Sequence, residues 1–287
     1  MRKMRIKMNL PVFYVDDIIK RALEEDINYI DVATDYLLSD DDVSTARFVS
    51  KAEGILCGID AAIRVFEMLD PDIKTKINIK DGEKVKKGDE IAALTGKTKA
   101  ILKAERTALN ILQHMSGIAS ETAKYAACCE GTRAHVTETR KTLPGLRSLE
   151  KYAVVVGGGK NHRYNLSDGA MLKDNHIDAY GSLTNAVAAL REKLGHMVKI
   201  EVEVRTEDEL REALACKADV IMLDNMSCEQ MKKCVEIADG QAVLEASGNV
   251  TLLNMRDVAL TGVDIISVGA LTHSVKAFDI SLRIDKK

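Results

Sequence analysis

The chain has 287 residues, with 41 Lys and Arg against 44 Asp and Glu, a net charge of −3. That length suits about two domains of roughly 150 residues, large enough to hold a core without disulfide or metal staples. Hydrophobic residues at 46% and charged residues at 30% exclude a disordered chain; 4% aromatics, no Trp and a near-neutral charge argue against a nucleic-acid binder.

The six cysteines (57, 128, 129, 216, 228 and 234) form no C-x-x-C pair. They read as free thiols of a reducing compartment. The opening MRKMRIKMNL is basic but has no apolar stretch of signal-peptide length, and no run of 18 apolar residues follows. The expectation is a cytoplasmic protein that does not engage membranes.

Taken in order, residues 16–30 have helical spacing, with Ile18, Ile19, Ala22 and Leu23 on one side. Residues 45–59 partly alternate and read as strand. Between Thr75 and Thr98, short alternating runs are broken at Asp81-Gly82 and Gly88-Asp89, as turns between strands require. Residues 100–127 predict a long amphipathic helix with Leu102, Leu109, Ile111, Leu112 and Met115 as its apolar positions.

The pattern then becomes regular. Short apolar runs at 198–204, 219–223, 242–246 and 264–268 alternate with helix-like stretches at 206–216, 227–238 and 251–261. Two less even strands end near Thr139-Arg140-Lys141 and Leu172-Lys173-Asp174. Repeated β-α units predict an α/β fold, a parallel barrel or a partly open one. A doubly wound sheet is the alternative, weakened because no G-x-G-x-x-G follows a first strand. The expected domains are an N-terminal α+β domain (1–115), the α/β barrel (116–270) and a C-terminal segment (271–287) returning to the first domain.

A β/α barrel does its chemistry at the C-terminal ends of its strands. Arg140, Lys141, Lys173, Glu203, Asp224, Ser247, Gly248 and Gly269 stand there. Segment 139–173 holds seven Lys and Arg against two acids, net +5, leaving −8 on the rest of the chain. Arg140 and Lys141 directly follow a strand-like run, where Arg can grip a carboxylate with two bonds and Lys acts as a point charge. Arg147, Lys151 and Lys160 read as a solvated basic face. Gly157-Gly158-Gly159-Lys160 lacks the rest of a phosphate-loop motif and reads as a mobile loop.

Glu201 and Glu203 share one strand face, because side chains alternate. Glu203 with Asp224, one strand over, forms a hard-oxygen pair suited to Mg²⁺ directly or through water. Glu201 reads as a salt bridge to an inward cation, and Asp224 has a competing reading as a helix N-cap. Ser247-Gly248-Asn249 and Val268-Gly269-Ala270 are strand-to-helix turns that can offer amides to a phosphate.

Those residues sit inside longer runs. Thr139-Arg140-Lys141-Thr142-Leu143-Pro144-Gly145-Leu146-Arg147, Asn161-His162-Arg163, Met171 to His176, Glu201 to Val204, Leu223-Asp224-Asn225, Glu245 to Asn249 and Ser267 to His273, with Ala104 to Asn110 earlier, resemble the quinolinate phosphoribosyltransferase family. The matches run in order from about residue 13 to 284.

The resemblance implies a type II phosphoribosyltransferase fold: an α+β domain beside a partly open barrel. It implies that quinolinate and phosphoribosyl pyrophosphate give nicotinate mononucleotide, pyrophosphate and CO₂ with Mg²⁺. It implies a homodimer, in some members built into hexamers, with Arg106 supplied across the interface. Arg106, Thr139, Arg140, Lys141, His162, Arg163 and Lys173 would then hold quinolinate. Glu203 and Asp224 would serve the ribose and Mg²⁺. Ser247, Gly248, Asn249, Val268, Gly269, Ala270 and His273 would take the phosphate. Lys141, Glu203 and Asp224 carry the catalytic roles. Two rivals are an imine-forming lyase using Lys173 and a molybdenum-transport-associated paralogue.

Overall fold

The computed structural model describes residues 10–27 and 29–285. Most of the basic opening segment, residue 28 of the first expected helix and the last two residues lie outside these. The chain divides into two compact units. One comprises residues to Glu121, Thr142–Gly158 and Ser274 onward; the other comprises Thr122–Lys141 and Gly159–His273.

The first stretch runs α1 (Val12–Asp26), α2 (Val32–Leu37), β1 (Val43–Ser50), β2 (Gly54–Ile55), α3 (Ile59–Leu69), β3 (Lys74–Ile77), β4 (Lys84–Val85), β5 (Glu90–Lys97) and α4 (Thr98–Cys128). Helix α1 follows Pro11 and buries Val15, Ile19 and Leu23, a single stripe at four-residue spacing. The expected helix 16–30 stops at Asp26 because Ile27 turns extended, and a new helix starts after the Asp31 cap, which accepts from the Thr34 amide. The expected strand 45–59 is broken too. Ser50 Oγ bonds the Ala52 carbonyl in a turn, and Asp81 accepts from the amides of Gly58 and Ile59 to start α3. The predicted turns at Gly82 and Gly88 have φ of +87° and +95°, which suits glycine.

The remaining elements are β6 (His135–Thr137), α5 (Arg147–Val156), β7 (Ala170–Leu172), α6 (Asp174–Tyr180), α7 (Leu183–Lys193), β8 (Ile200–Val204), α8 (Glu207–Ala215), β9 (Val220–Asp224), α9 (Cys228–Ala238), β10 (Val243–Ser247), α10 (Met255–Ala259), β11 (Ile265–Ser267), α11 (Ala270–His273) and β12 (Ile280–Ile284). In the first unit β12, β1, β5 and β3 form an antiparallel sheet in that order. Phe48 of this sheet meets Phe66 of α3 edge to face, ring centroids 5.8 Å apart.

Residues 142–158 group with this first unit, whereas a simple division at 115/116 assigns them to the barrel. Their helix α5 is covered on more than one side: Leu149, Glu150, Lys151, Ala153 and Val154 are all buried. Lys151, expected on a solvated face, is 2% exposed. Glu150 accepts from the Leu143 amide at 3.2 Å and lies 2.8 Å from Nε2 of His114.

The second unit is built on six parallel strands in the order β6-β11-β10-β9-β8-β7. Consecutive strands from β7 to β11 are neighbours, and β6 joins beside β11. Such an order winds in one direction, as a barrel does, with no point of reversal as in a doubly wound sheet. Among the described residues no ladder joins β6 to β7, so the barrel is partly open. Lys160 makes a lone parallel bridge to Thr137, so the glycine run ending there is tied to the sheet and also caps α5 at Gly157. Two barrel helices start on strong side-chain caps. Thr206 caps α8, whose first turn holds three acids, and Ser227 with Gln230 forms a capping box on α9. The cap of α9 is therefore Ser227, which leaves Asp224 available. No helix among the described residues is long and apolar enough to cross a membrane.

Candidate active site

A cavity of about 770 Å³ opens in the barrel unit. Its wall contains Thr139, Arg140 and Lys141 after β6, His162 and Arg163, and Lys173 after β7. Glu203 of β8 and Asp224 of β9 follow. The rest is Ser247, Gly248 and Asn249 after β10, with Val268, Gly269, Ala270 and His273 after β11. Every residue expected to hold substrate, phosphate or metal lines it except Arg106, which lies on α4 in the first unit.

The register explains the convergence. Met222 is paired with both Glu203 and Glu245, and Ser247 with both Asp224 and Ser267. Alternation then turns this set of side chains to one face. Seven cavity residues, Met171, Met222, Asn225, Glu245, Val250, Thr251 and Ser267, were not among the expected site residues. Glu245 was legible: it precedes Ser247 by two on the same strand.

On the basic side of the cavity, Arg163 stands apart from any carboxylate partner among the described residues. Arg163 donates through Nη1 to the Gly169 carbonyl at 2.9 Å and through Nη2 to Met171 Sδ at 3.4 Å. Both acceptors are neutral, and Arg163 makes no ion pair among the described residues. Burial pulls its pKa down, and the neighbouring Arg140 charge pulls further. Two guanidinium groups held close together in a half-buried wall favour an anion between them. Lys141 lies against Gly269, where an added Cβ would stand 3.1 Å from its Cδ. Thr272 Oγ1 donates to the Lys141 carbonyl at 2.9 Å and ties that loop to α11.

His162 behaves differently from the expectation that it would hold a carboxylate. Its Nε2 lies 3.4 Å from both Glu201 Oε2 and Glu245 Oε2, and its Nδ1 accepts from the Arg163 amide at 2.8 Å. Both ring nitrogens are thus engaged by the protein. Glu201 pairs with this histidine rather than with the expected Lys or Arg. Burial lowers the ring's pKa, but hydrogen bonds and charge from Glu201 and Glu245 outweigh it and push it up to about 10. The two carboxylates favour a proton on each nitrogen, and the charged ring gives up the Arg163 amide contact, which needs a lone pair on Nδ1. Burial pushes the Glu201 carboxyl up, against the pull of its His162 hydrogen bond. Oε1 of Glu201 and Oε1 of Glu245 are buried and find no hydrogen-bond partner among the described residues.

The acidic side is paired to cations. Lys173 Nζ donates to Glu203 Oε2 at 2.7 Å. Arg205, just past β8, places Nη2 2.8 Å from Asp174 Oδ2 and 3.9 Å from Glu203 Oε1, and Nε 3.6 Å from Asp224 Oδ2. Nothing in the spacing pointed to Arg205, since the residue after a strand can turn either way.

On the far side, the amides of Gly248, Asn249, Gly269 and Ala270 have no backbone acceptor among the described residues. Gly248 has φ of +95°, and an added Cβ would strike the Asn225 side chain. Asn249 Nδ2 donates to Asn225 Oδ1 at 3.0 Å, and Asn254 Nδ2 to the Asn249 carbonyl at 3.1 Å. Free amides on a braced turn suit a phosphate.

Residues 31–116 match the "Quinolinate phosphoribosyl transferase, N-terminal domain" and residues 118–283 its "C-terminal domain". The chain belongs to the quinolinate phosphoribosyltransferase family. Among relatives, it is 46% identical over 239 residues to the probable nicotinate-nucleotide pyrophosphorylase [carboxylating] of Bacillus subtilis, covering 83% of each chain. It is 42% identical to quinolinate phosphoribosyltransferase [decarboxylating] 2b, mitochondrial, of Nicotiana tabacum, over 96% of this chain and 83% of that one. The solved structure of NadC from Streptococcus pyogenes superposes with a TM-score of 0.93 at 40% identity, over 96% of this chain and 97% of that one. For a quinolinate phosphoribosyltransferase the division of the cavity is apt: cations on one side, acids in the middle and free amides on the other.

Proposed function

We propose that the chain transfers the phosphoribosyl group of phosphoribosyl pyrophosphate to quinolinate and releases pyrophosphate and CO₂, leaving nicotinate mononucleotide for NAD biosynthesis. The observation that carries this is Arg163 beside Arg140: a guanidinium bonded to neutral acceptors and facing a cavity. Quinolinate bears two adjacent carboxylates and supplies the missing negative charge. Lys141 and Lys173 complete the cradle. His162 acts through its neighbour, because its ring is locked between Glu201, Glu245 and the Arg163 amide.

The free amides after β10 and β11 take the 5′-phosphate, with His273 beside them. The ring nitrogen of quinolinate attacks the anomeric carbon through its own lone pair, so no general base is needed. As pyrophosphate departs, the ribosyl carbon gains cationic character, which Glu203 and Asp224 stabilise. Holding two polyanions together is itself a large part of the catalysis. The new pyridinium charge then stabilises the electron pair left on the adjacent ring carbon as its carboxylate departs as CO₂, and that carbon takes a proton from water to give nicotinate mononucleotide.

Glu203 and Asp224 also fit Mg²⁺. They are hard-oxygen donors on adjacent strands, and cations already crowd both. When bound, Mg²⁺ supplies charge neutralisation to the departing pyrophosphate.

We further propose a homodimer in which the partner subunit's Arg106 completes each site. In support, Arg106 is exposed, and the first unit leaves Phe13, Tyr14, Tyr36 and Leu37 exposed on its two leading helices. Mixing inactive Arg106→Ala and Lys141→Ala proteins tests this. Mixed dimers regain part of the activity; no regain means self-contained sites. The reaction itself is tested by incubating the protein with quinolinate, phosphoribosyl pyrophosphate and Mg²⁺ and looking for nicotinate mononucleotide. No product from folded protein rejects the assignment.

A further inference from the structure

Arg205 lies beside the acid pair, 3.9 Å from Glu203 Oε1 and 3.6 Å from Asp224 Oδ2, without lining the cavity itself. Its backbone is fixed. The amide donates to Glu209 Oε2 at 2.6 Å, and Thr206 begins α8 immediately after. Its side chain is 55% exposed and reaches back over the strand ends. Among the described residues its hydrogen bond goes to Asp174 Oδ2, at 2.8 Å. Glu203 at 3.9 Å and Asp224 at 3.6 Å lie beyond hydrogen-bond range but well within Coulombic range. Asp174 therefore tethers a permanent positive charge beside the two carboxylates.

A divalent ion seated on Glu203 and Asp224 faces that charge at close quarters. Like charges so placed disfavour each other, even with partial screening by solvent. An ion that arrives on a diphosphate brings compensating negative charge, and the same guanidinium then attracts the incoming group.

We propose that Arg205 is the built-in counter-cation of the Glu203/Asp224 site: it holds down the affinity for free divalent metal and favours metal delivered on a diphosphate. The inference rests on reading Glu203 and Asp224 as the cation-facing acids. Arg205 is a positioning residue here, acting through those carboxylates.

The test uses Mn²⁺ alone as the probe, with free ion followed by electron paramagnetic resonance and no substrate present. Arg205→Ala binds Mn²⁺ about tenfold more tightly than the parent, the scale expected for removing a partly screened charge a few ångströms away. Arg205→Lys, which keeps the charge, stays near the parent. Adding inorganic pyrophosphate with Mn²⁺ narrows or reverses the difference. No gain in Mn²⁺ affinity for Arg205→Ala, whether or not the parent binds the ion, overturns the proposal. So does an equal gain for Arg205→Lys, which points to shape rather than charge. Asp224→Asn separates the premises: placed in either background it abolishes Mn²⁺ binding if the acids hold the ion. Unchanged binding there rejects the cation-site reading itself, independently of Arg205.

Discussion

His162 Nε2 stands 3.4 Å from Glu245 Oε2 in the cavity wall, and Glu245 is 1% exposed. A carboxylate this deep is tolerated only with a charge partner. Glu201 completes the arrangement, so one imidazole serves two buried acids. Removing the imidazole leaves both acids uncompensated. We predict that His162→Ala loses about 3 kcal/mol of stability, the scale for breaking a buried ion pair from one side. Urea unfolding of the two proteins at neutral pH measures it. A difference below about 0.5 kcal/mol, the usual size of a surface effect, rejects the coupling.

The same contact sets a pH dependence. The folded value for His162, about 10, lies above its ordinary value of 6.5. A raised value means the stabilisation is complete below about 6.5 and is lost as pH rises through about 10. The stability gap between the parent and His162→Ala is therefore widest near pH 6 and shrinks on the alkaline side. Unfolding midpoints from pH 6 to 10 check this. A gap that widens with pH contradicts it.

Arg163→Ala leaves the carboxylate cradle without its half-buried guanidinium. Quinolinate binding weakens by about 2–5 kcal/mol, as for loss of one partner of a buried charge pair. Phosphoribosyl pyrophosphate binding changes far less, because its phosphate sits on the amide side. Calorimetric titration with each substrate separates the two, and equal losses remove Arg163 from the quinolinate end.

Gly248→Ala strains the phosphate turn. The residue holds φ of +95°, and the new methyl group meets the Asn225 side chain. Left-handed backbone alone costs roughly 1–2 kcal/mol for a residue with a Cβ. We expect a raised KM for phosphoribosyl pyrophosphate, with quinolinate affinity nearly unchanged. Initial-rate kinetics with each substrate varied in turn reads the split.

The barrel was legible because short strands and capped helices repeat with one period, and because strand ends are where side chains meet. That logic placed Lys141, Glu203, Asp224 and Gly269 around one cavity. It missed what depends on distant packing. Lys151 looks like a surface charge in the sequence, yet α5 is covered on several sides. His162 follows a glycine-rich run, and no local pattern reveals that its ring turns to Glu201 and Glu245. Arg205 is one of many exposed arginines until its reach across three strand ends is seen. Asp224 could also be read locally as a helix cap, a role that the capping box at Ser227 takes instead.

We propose that phosphoribosyl transfer and then loss of the adjacent carboxylate both occur in this one cavity. This is tested most directly with quinolinate carrying ¹⁴C in the carboxylate next to the ring nitrogen. Labelled CO₂ is expected only when phosphoribosyl pyrophosphate is present, in one-to-one ratio with pyrophosphate. Release of label without phosphoribosyl pyrophosphate, or pyrophosphate formed without release of label, would contradict it.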